Sequence, residues 1–246
     1  MINTGKLYVV GIGPGSYEDM TIRAVKALKE SRIIVGYTVY VDLIREHFPN
    51  KEMVTTSMRQ EKERCRIAIE EARKGKIVAM VCSGDSGVYG MSGLILEMAR
   101  PYEELEIEII PGVTAALSGG AILGAPLGHD FGVISLSDLL TPMELIEERL
   151  RAGARTDMIL CLYNPSSKKR ADYLKHACEI VLEYRSPETV CGFVRNIGRA
   201  KEEMAVMSLR ELRDARVDMF TTVYIGSSVT KNINGRMVTP RGYKNV

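Results

Sequence analysis

The sequence predicts an α/β protein with two domains. Short apolar runs alternate with amphipathic helical patterns along most of the chain, which is typical of parallel strands joined by helical connections. In the first half, three glycine-bearing loops directly follow predicted strands. In the second half the predicted strands lie closer together along the chain, which favours a mixed sheet.

The first half combines strands with helices that we expect to cover the sheet. The helix before Gly75 has an apolar side made of Cys, Ile and Ala, its other positions are charged, and a glycine ends it. The strands are predicted near Lys6–Ile12, Arg32–Gly36, Ile77–Cys82 and Glu106–Ile110, and the helices near Thr21–Glu30, Gln60–Lys74 and Tyr89–Ala99.

The stretch from Ile109 to Gly128 carries no charged residue, and its length matches that of a membrane span, about 20 residues. Glycines and prolines interrupt it repeatedly. Such residues are typical of turns, so we predict a strand end, a small-residue helix from about Thr114 to Leu123, and another turn. We expect no membrane span.

The second half is predicted to hold more strands than helices, followed by a polar tail. The tail, Lys231 to Val246, could be ordered or frayed. The strands are predicted near Phe131–Leu136, Asp157–Tyr163, Thr189–Arg195, Glu203–Met207 and Met219–Ile225, and the helices near Pro142–Arg151, Lys168–Tyr184 and Leu209–Ala215.

Composition argues against several classes of protein. Lys and Arg number 33 against 31 Asp and Glu, and the net charge of +2 is too small for the long-range field of a typical nucleic-acid binder. The five cysteines include no C-x-x-C pair, which indicates reduced thiols rather than a zinc ribbon or a disulfide framework. The first apolar run is too short for a signal peptide, so we expect a cytoplasmic protein without membrane or nucleic-acid partners.

The first loop, GIGPGS (Gly11 to Ser16), is a poor dinucleotide-binding fingerprint. Ser16 stands where the pattern G-x-G-x-x-G needs its third glycine, and the second strand ends near Tyr37 rather than at an acidic residue. The sequence also has no P-loop motif. A structural turn and a ligand-binding turn both remain open for this loop.

The second loop, SGDSGVYGM (Ser83 to Met91), follows a strand predicted to end at the edge where open α/β sheets bind ligands. Its glycines allow close approach of backbone, and Asp85 offers a carboxylate. Alternatively, Asp85 or Ser86 caps the next helix. The third loop, PGVTAA (Pro111 to Ala116), completes a set of three, which together predict a site lined by backbone amides.

These three motifs in this order resemble the tetrapyrrole methylase family, and the resemblance extends over essentially the whole chain. Three further stretches are similar to the branch that methylates C17 of precorrin-3B or cobalt-factor III in cobalamin biosynthesis. They are GHDFGVISLSDLLTP (Gly128 to Pro142), LYNPSSKKR (Leu162 to Arg170) and NGRMVTPRGY (Asn234 to Tyr243).

The resemblance implies a two-domain fold with S-adenosylmethionine between an N-terminal domain, 1–116, and a C-terminal domain, 117–246. It implies S-adenosylhomocysteine as the product, C17 methylation with contraction of the ring, and a homodimer. The cofactor-binding positions that it implies are Pro14, Gly84, Asp85, Val88, Thr114, Ala115, Leu162, Tyr163 and Gly192.

Ring contraction also needs proton transfer, and for it we predict His129 and Asp130, because histidine titrates near neutral pH. Relatives that methylate uroporphyrinogen place an aspartate where this chain has Tyr37, so their acid–base residues are not carried over. The substrate's carboxylates call for cations, since arginine pairs with carboxylates in bidentate fashion. The predicted substrate residues are Gly13, Arg59, Lys168 and Arg195, and no protein metal site is predicted.

Two alternatives stay open at this point. One is a methylase of the same family that acts on another precorrin carbon, and the other is a tetrapyrrole-binding protein without catalytic activity. The sequence also leaves open whether the substrate carries cobalt or is metal-free, and whether contraction needs a partner.

Overall fold

A computed structural model of the chain describes residues 5–167 and 171–244. Strands and helices alternate through these residues, and the described chain forms two compact units. The first unit ends at Ala115 and the second begins at Ala116. The predicted α/β class is confirmed by the sheets and helices of both units.

Within the described ranges, the first unit contains one sheet of five parallel strands and four α-helices. The strands are β1 (Lys6–Gly11), β2 (Ile33–Tyr37), β3 (Glu52–Thr56), β4 (Ile77–Cys82) and β5 (Glu106–Ile110), and the helices are α1 (Ile22–Glu30), α2 (Thr38–Ile44), α3 (Glu61–Arg73) and α4 (Ser92–Ala99). The strands lie in the order β3-β2-β4-β1-β5, and a short 3-10 helix, Arg45–His47, follows α2.

Side chains alternate between the two faces of this sheet along each strand, and helices bury both faces. Leu7 and Val9 pack with α3 and α4, whereas Tyr8 and Val10 pack with α1 and α2 on the opposite face. The predicted helix before Gly75 lies on the first of these faces, and Gly75 follows it with a φ of +86°. The strands therefore read as nearly continuous apolar runs.

The second unit contains a mixed sheet of five strands, which are β7 (Phe131–Ser135), β8 (Ile159–Tyr163), β9 (Val190–Arg195), β10 (Glu203–Ser208) and β11 (Thr221–Ile225). They lie in the order β10-β9-β11-β8-β7, and among these neighbours only β7 and β8 run parallel. The helices are α5 (Ala115–Leu123), which starts at the boundary, α6 (Met143–Arg155), α7 (Tyr173–Leu182) and α8 (Leu209–Arg213).

Helices α6, α7 and α8 cover one face of this sheet and form its main core. Helix α5 packs on the other face, where the hydroxyl of Tyr224 on β11 donates to the carbonyl of Ala116 at 3.0 Å. Gly192 on β9 faces the same helix, because a Cβ there would lie 2.9 Å from Leu123 Cδ2. The uncharged stretch that raised the question of a membrane span is thus the end of β5, α5 and a short strand, and no helix within the described ranges is long and apolar enough to cross a bilayer.

The polar tail contains regular secondary structure. Strands β12 (Lys231–Ile233) and β13 (Arg236–Val238) form a hairpin, and β13 pairs with β6 (Gly124–Ala125). Asn234 and Gly235 have φ angles of +52° and +79°, as a two-residue type I′ turn requires. Of the two readings left open for the tail, the ordered one fits the part that forms this hairpin.

Two further differences from the sequence predictions have physical causes. Helix α4 begins at Ser92 rather than near Tyr89, because Tyr89 has a φ of +52°, which a helix does not accept. Strand β3 was not predicted, and it is an edge strand whose residues are only partly buried. An edge strand needs fewer apolar residues than a central one and so leaves a weaker pattern.

Candidate functional site

The three glycine-bearing loops follow β1, β4 and β5, which are neighbours in the sheet of the first unit. These strands end at one edge of the sheet, the carboxyl edge. Gly13 and Gly84 exchange two backbone hydrogen bonds, with N···O distances of 3.0 and 2.7 Å. The structure therefore brings the first two loops into direct contact at this edge, as their places after parallel strands predicted.

The close approach of these loops requires glycine. A Cβ on Gly112 would lie 2.2 Å from the carbonyl oxygen of Gly84, and a Cβ on Gly11 would lie 2.7 Å from the same oxygen. Gly13 and Gly84 also have φ angles of +75° and +67°, which side-chain-bearing residues rarely adopt. These glycines are needed for loop packing whatever the site binds.

Asp85 holds the loops together through backbone amides. Its Oδ1 accepts from the amides of Gly87 at 2.7 Å and Val88 at 3.0 Å, and its Oδ2 accepts from Gly112 at 3.0 Å. The alternative that Asp85 or Ser86 caps the next helix is wrong, because the residue preceding α4 is Met91 and it makes no side-chain cap. A carboxylate accepts about four hydrogen bonds, so Asp85 retains capacity for one ligand donor.

The other predicted cofactor residues of the first unit lie around these loops. Pro14 is buried, Thr114 and Ala115 are half-buried, and Val88 is 38% exposed. A Cβ built on Gly84 would lie 3.5 Å from Thr114 Cα and 3.6 Å from the amide nitrogen of Ala115. The second and third loops therefore contact each other, and the exposed Val88 lies on the side of the second loop that faces solvent.

In the second unit, two tyrosines hold the first turn of α5. The amide of Ala116 donates to the hydroxyl of Tyr163 at 2.7 Å, while the hydroxyl of Tyr224 donates to the Ala116 carbonyl. Tyr224 is completely buried, and that burial raises the pKa of its hydroxyl. Of the predicted cofactor residues, Tyr163 thus carries a structural contact, and Leu162 and Gly192 lie buried on β8 and β9. Sequence reasoning did not single out Tyr224, since a tyrosine within a strand carries no local signal.

His129 and Asp130 lie on the exposed segment between β6 and β7. Asp130 contributes its backbone carbonyl to the sheet by accepting from the amide of Ile159 at 3.1 Å. Neither side chain forms a hydrogen bond or ion pair with the rest of the described chain. Their catalytic role remains a prediction.

The predicted substrate cations have different surroundings. Arg59 is exposed and has a φ of +67° in the loop after β3. Arg195 pairs with Glu203 at 2.8 Å and lies 3.6 Å from an oxygen of Asp218, so its charge is already balanced within its own unit. Lys168 lies outside the described residues. Substrate binding by these three residues also remains a prediction.

Sequence reasoning missed Arg64 on α3, whose guanidinium lies buried near the ends of β2 and β3. It stands in a charged helical stretch that reads as a solvated face, so burial could be found only in the folded chain. The described part of the chain contains no group of three or more His, Cys, Asp or Glu arranged to hold a metal ion.

Comparison with known proteins identifies the family. Residues 6–213 match the family model described as Tetrapyrrole (Corrin/Porphyrin) Methylases. A "Probable cobalt-factor III C(17)-methyltransferase" of Salmonella typhimurium is 43% identical over 238 residues, which are 96% of this chain and 99% of that protein. The "Cobalt-factor III methyltransferase" of Priestia megaterium is 43% identical over 98% of this chain, and the match spans 45% of its length.

A solved structure gives the same result for the fold. The crystal structure of the methyltransferase CobJ matches with a TM-score of 0.88 and 37% identity, and the match covers 96% of this chain and all of that one. The match includes both units, and the family model spans the loops of the carboxyl edge. The chain belongs to the tetrapyrrole methylase family.

Proposed function

We propose that this protein transfers the methyl group of S-adenosylmethionine to C17 of cobalt-factor III or precorrin-3B, with contraction of the ring, in cobalamin biosynthesis. The observation that carries the proposal is the 43% identity to the Salmonella protein of that name over nearly the full length of both chains. The backbone-lined carboxyl edge supports it, because it offers glycine contacts and a carboxylate to a small polar cofactor.

The residues present fit such a cofactor. A Cβ on Gly87 would meet only Asp85 Oδ1, at 3.3 Å, so the space above this exposed glycine is open. Asp85 keeps one acceptor position for an ammonium or hydroxyl donor. We assign the following positions to cofactor binding: Pro14, Gly84, Asp85, Val88, Thr114 and Ala115 in the first unit, and Leu162, Tyr163 and Gly192 in the second.

When bound, S-adenosylmethionine supplies an electrophilic methyl group on a sulfonium sulfur. Asp85 and the backbones of the glycine loops would hold the cofactor, which would supply that methyl group to the tetrapyrrole carbon. The protein's part is alignment, which contributes on the order of 7–11 kcal/mol in favourable cases. The loops suit this part, because hydrogen bonds between Gly13, Gly84, Asp85 and Gly112 hold their backbones in fixed positions.

His129 and Asp130 are proposed to move protons during contraction, and Gly13, Arg59, Lys168 and Arg195 to contact the substrate. The exposure of His129 and Asp130 allows exchange of protons with solvent. For Arg195, binding a substrate carboxylate would require exchange of a partner that it now holds, Glu203 or Asp218.

The test is anaerobic incubation with S-adenosylmethionine and cobalt-factor III, followed by product mass, visible spectrum and the position of the new methyl group. Gain of one methyl at C17, with a spectrum of shortened conjugation, is expected. Methylation at another carbon would favour a different methylase of the family. Tetrapyrrole binding without product, and without binding of S-adenosylhomocysteine, would favour a non-catalytic binding protein.

We also propose a homodimer in the cytoplasm. All five cysteines are free and buried, which is consistent with a reducing compartment. Sedimentation equilibrium should give about 55 kDa, twice the chain mass of 27.3 kDa. A mass that stays at the single-chain value would contradict the dimer.

A further inference from the structure

Arg64 is a buried cation whose partners among the described residues are all uncharged. Its side chain leaves α3 toward the ends of β2 and β3, and the residue is only 5% exposed. Nε donates to Thr56 Oγ1 at 2.9 Å, and Nη2 donates to the carbonyl of Ser57 at 3.1 Å. The guanidinium carbon lies 5.8 Å from the ring centre of Tyr37.

Within the described residues, no carboxylate pairs with this guanidinium. Burying a charge is costly unless a counter-charge or a full set of hydrogen bonds compensates it. Arg185 in the second unit shows what full compensation looks like. It is 8% exposed, donates to the carbonyls of Gly153, Met158 and Gly226, and has a carboxylate oxygen of Asp157 at 3.9 Å.

The third nitrogen of the guanidinium, Nη1, is covered by one movable group. Nη1 lies 3.9 Å from the thioether sulfur of Met91, which is a weak acceptor. Met91 is itself only half-buried, and a methionine side chain changes conformation easily. A ligand group that displaces this thioether would meet a guanidinium N–H directly.

The position of this cation is the carboxyl edge of the sheet. Tyr37 and Thr56 are the last residues of β2 and β3, and Met91 ends the second glycine loop, which follows β4. Ligands of open α/β sheets bind outside the carboxyl ends of the strands. Arg64 thus lies at the edge that holds the three glycine loops, on the side of β2 and β3.

We propose that Arg64 binds a carboxylate of the tetrapyrrole substrate through Nη1, after the side chain of Met91 moves aside. This inference rests on the proposed function only in that the substrate carries acetate and propionate groups. Arginine suits the role because its planar fork keeps the bonds to Thr56 and Ser57 while Nη1 donates to the ligand. The substrate carboxylate then supplies the counter-charge that the described residues of the first unit lack at this position.

The first test compares Arg64→Gln with Arg66→Gln. Arg66 lies on the same helix but is half-exposed and pairs with Glu63 and Glu70, so its loss should leave substrate binding unchanged. For Arg64→Gln we expect KM for cobalt-factor III to rise roughly 10- to 100-fold, the range for loss of a charged hydrogen bond. The affinity for S-adenosylhomocysteine should not change. Arg64→Lys keeps the charge but loses the planar guanidinium, so its KM should lie between those of the wild type and Arg64→Gln.

A second pair of variants separates binding from a purely structural role. Met91→Glu places a permanent carboxylate beside Arg64, whereas Met91→Gln has the same size without the charge. We expect Met91→Glu to weaken substrate binding at least tenfold more than Met91→Gln, while its melting temperature stays the same or rises. Equal effects of the two variants, or unchanged KM in Arg64→Gln, would overturn the inference.

A binding assay with a porphyrin tetrapropionate and its neutral tetraamide distinguishes this inference from the proposed function. If the wild-type protein binds the acid more tightly than the amide, and Arg64→Gln removes this difference, the carboxylate contact of Arg64 is supported even if cobalt-factor III is not methylated. If Arg64→Gln methylates cobalt-factor III as the wild type does, the proposed function is retained and the role of Arg64 in substrate binding is refuted. If the wild-type protein binds neither porphyrin nor cobalt-factor III, both proposals are refuted.

Discussion

The hydrogen bonds of Asp85 give a sharp prediction for Asp85→Asn. The substitution preserves shape, and the amide oxygen can keep the two bonds that Oδ1 accepts from Gly87 and Val88. The amide NH2 group then occupies the place of Oδ2 and faces the N–H of Gly112, at a position where the carboxylate accepts at 3.0 Å. Two donors face each other there, and one charge-assisted hydrogen bond is lost.

The expected loss of stability in Asp85→Asn follows from that one hydrogen bond. Hydrogen bonds to charged groups contribute about 1.5–3 kcal/mol, and an unsatisfied amide adds to the loss. For a chain of this size, each kcal/mol lowers the melting temperature by about 2–4 °C, so a fall of about 3–12 °C is expected. Because the bond ties the third loop to the second, exchange of the Gly112 amide hydrogen should accelerate roughly 10- to 100-fold.

Differential scanning calorimetry and amide hydrogen exchange measure both quantities. Asp172→Asn is the matched control, because Asp172 is exposed, precedes α7 and makes no side-chain cap there. Asp85→Ala, which removes all three bonds, should destabilise the protein further and weaken the binding of S-adenosylhomocysteine. If Asp85→Asn keeps the wild-type melting temperature and the wild-type exchange rate of the Gly112 amide, the role of Asp85 in holding the loops is refuted.

Two further predictions concern the second unit and the thiols. Gly119→Ala should lower the free energy of unfolding by about 1–3 kcal/mol through overpacking, since its Cβ would lie 2.4 Å from the hydroxyl of Tyr224. Gly120→Ala is the control for urea denaturation, because its Cβ meets nothing closer than 3.4 Å, and equal effects would contradict the packing argument. Burial raises the pKa of all five thiols above the ordinary 9.0, so stability should hold below pH 9 and fall at higher pH, by about 1.4 kcal/mol per pH unit for each thiol ionised only on unfolding. The pKa is raised to about 11 for Cys82 and to about 12 for Cys65, Cys161 and Cys178. Urea denaturation between pH 7 and 10 gives the dependence of the unfolding free energy on pH, and Cys161→Ala should make that dependence less steep. An identical slope in Cys161→Ala and the wild type would refute the argument.

The sequence by itself determined the fold class, most of the elements and the location of the candidate site. These depend on local patterns: apolar runs for buried strands, helical periodicity, and glycines directly after strands. β4 and β5 have the predicted bounds, and the predicted loops do meet at one sheet edge. The Asn-Gly pair of the tail hairpin was also a readable signal, since a type I′ turn requires residues that tolerate positive φ.

Only the tertiary structure decided which side chains support the site and how. Asp85 accepts from a backbone amide 27 residues away along the chain, and Tyr224 donates to a backbone carbonyl 108 residues away. Arg64 looks like a surface residue in a charged helix, yet it is buried without a carboxylate partner in the described chain. Such facts depend on pairing and desolvation between distant segments, and a local pattern carries information on neither.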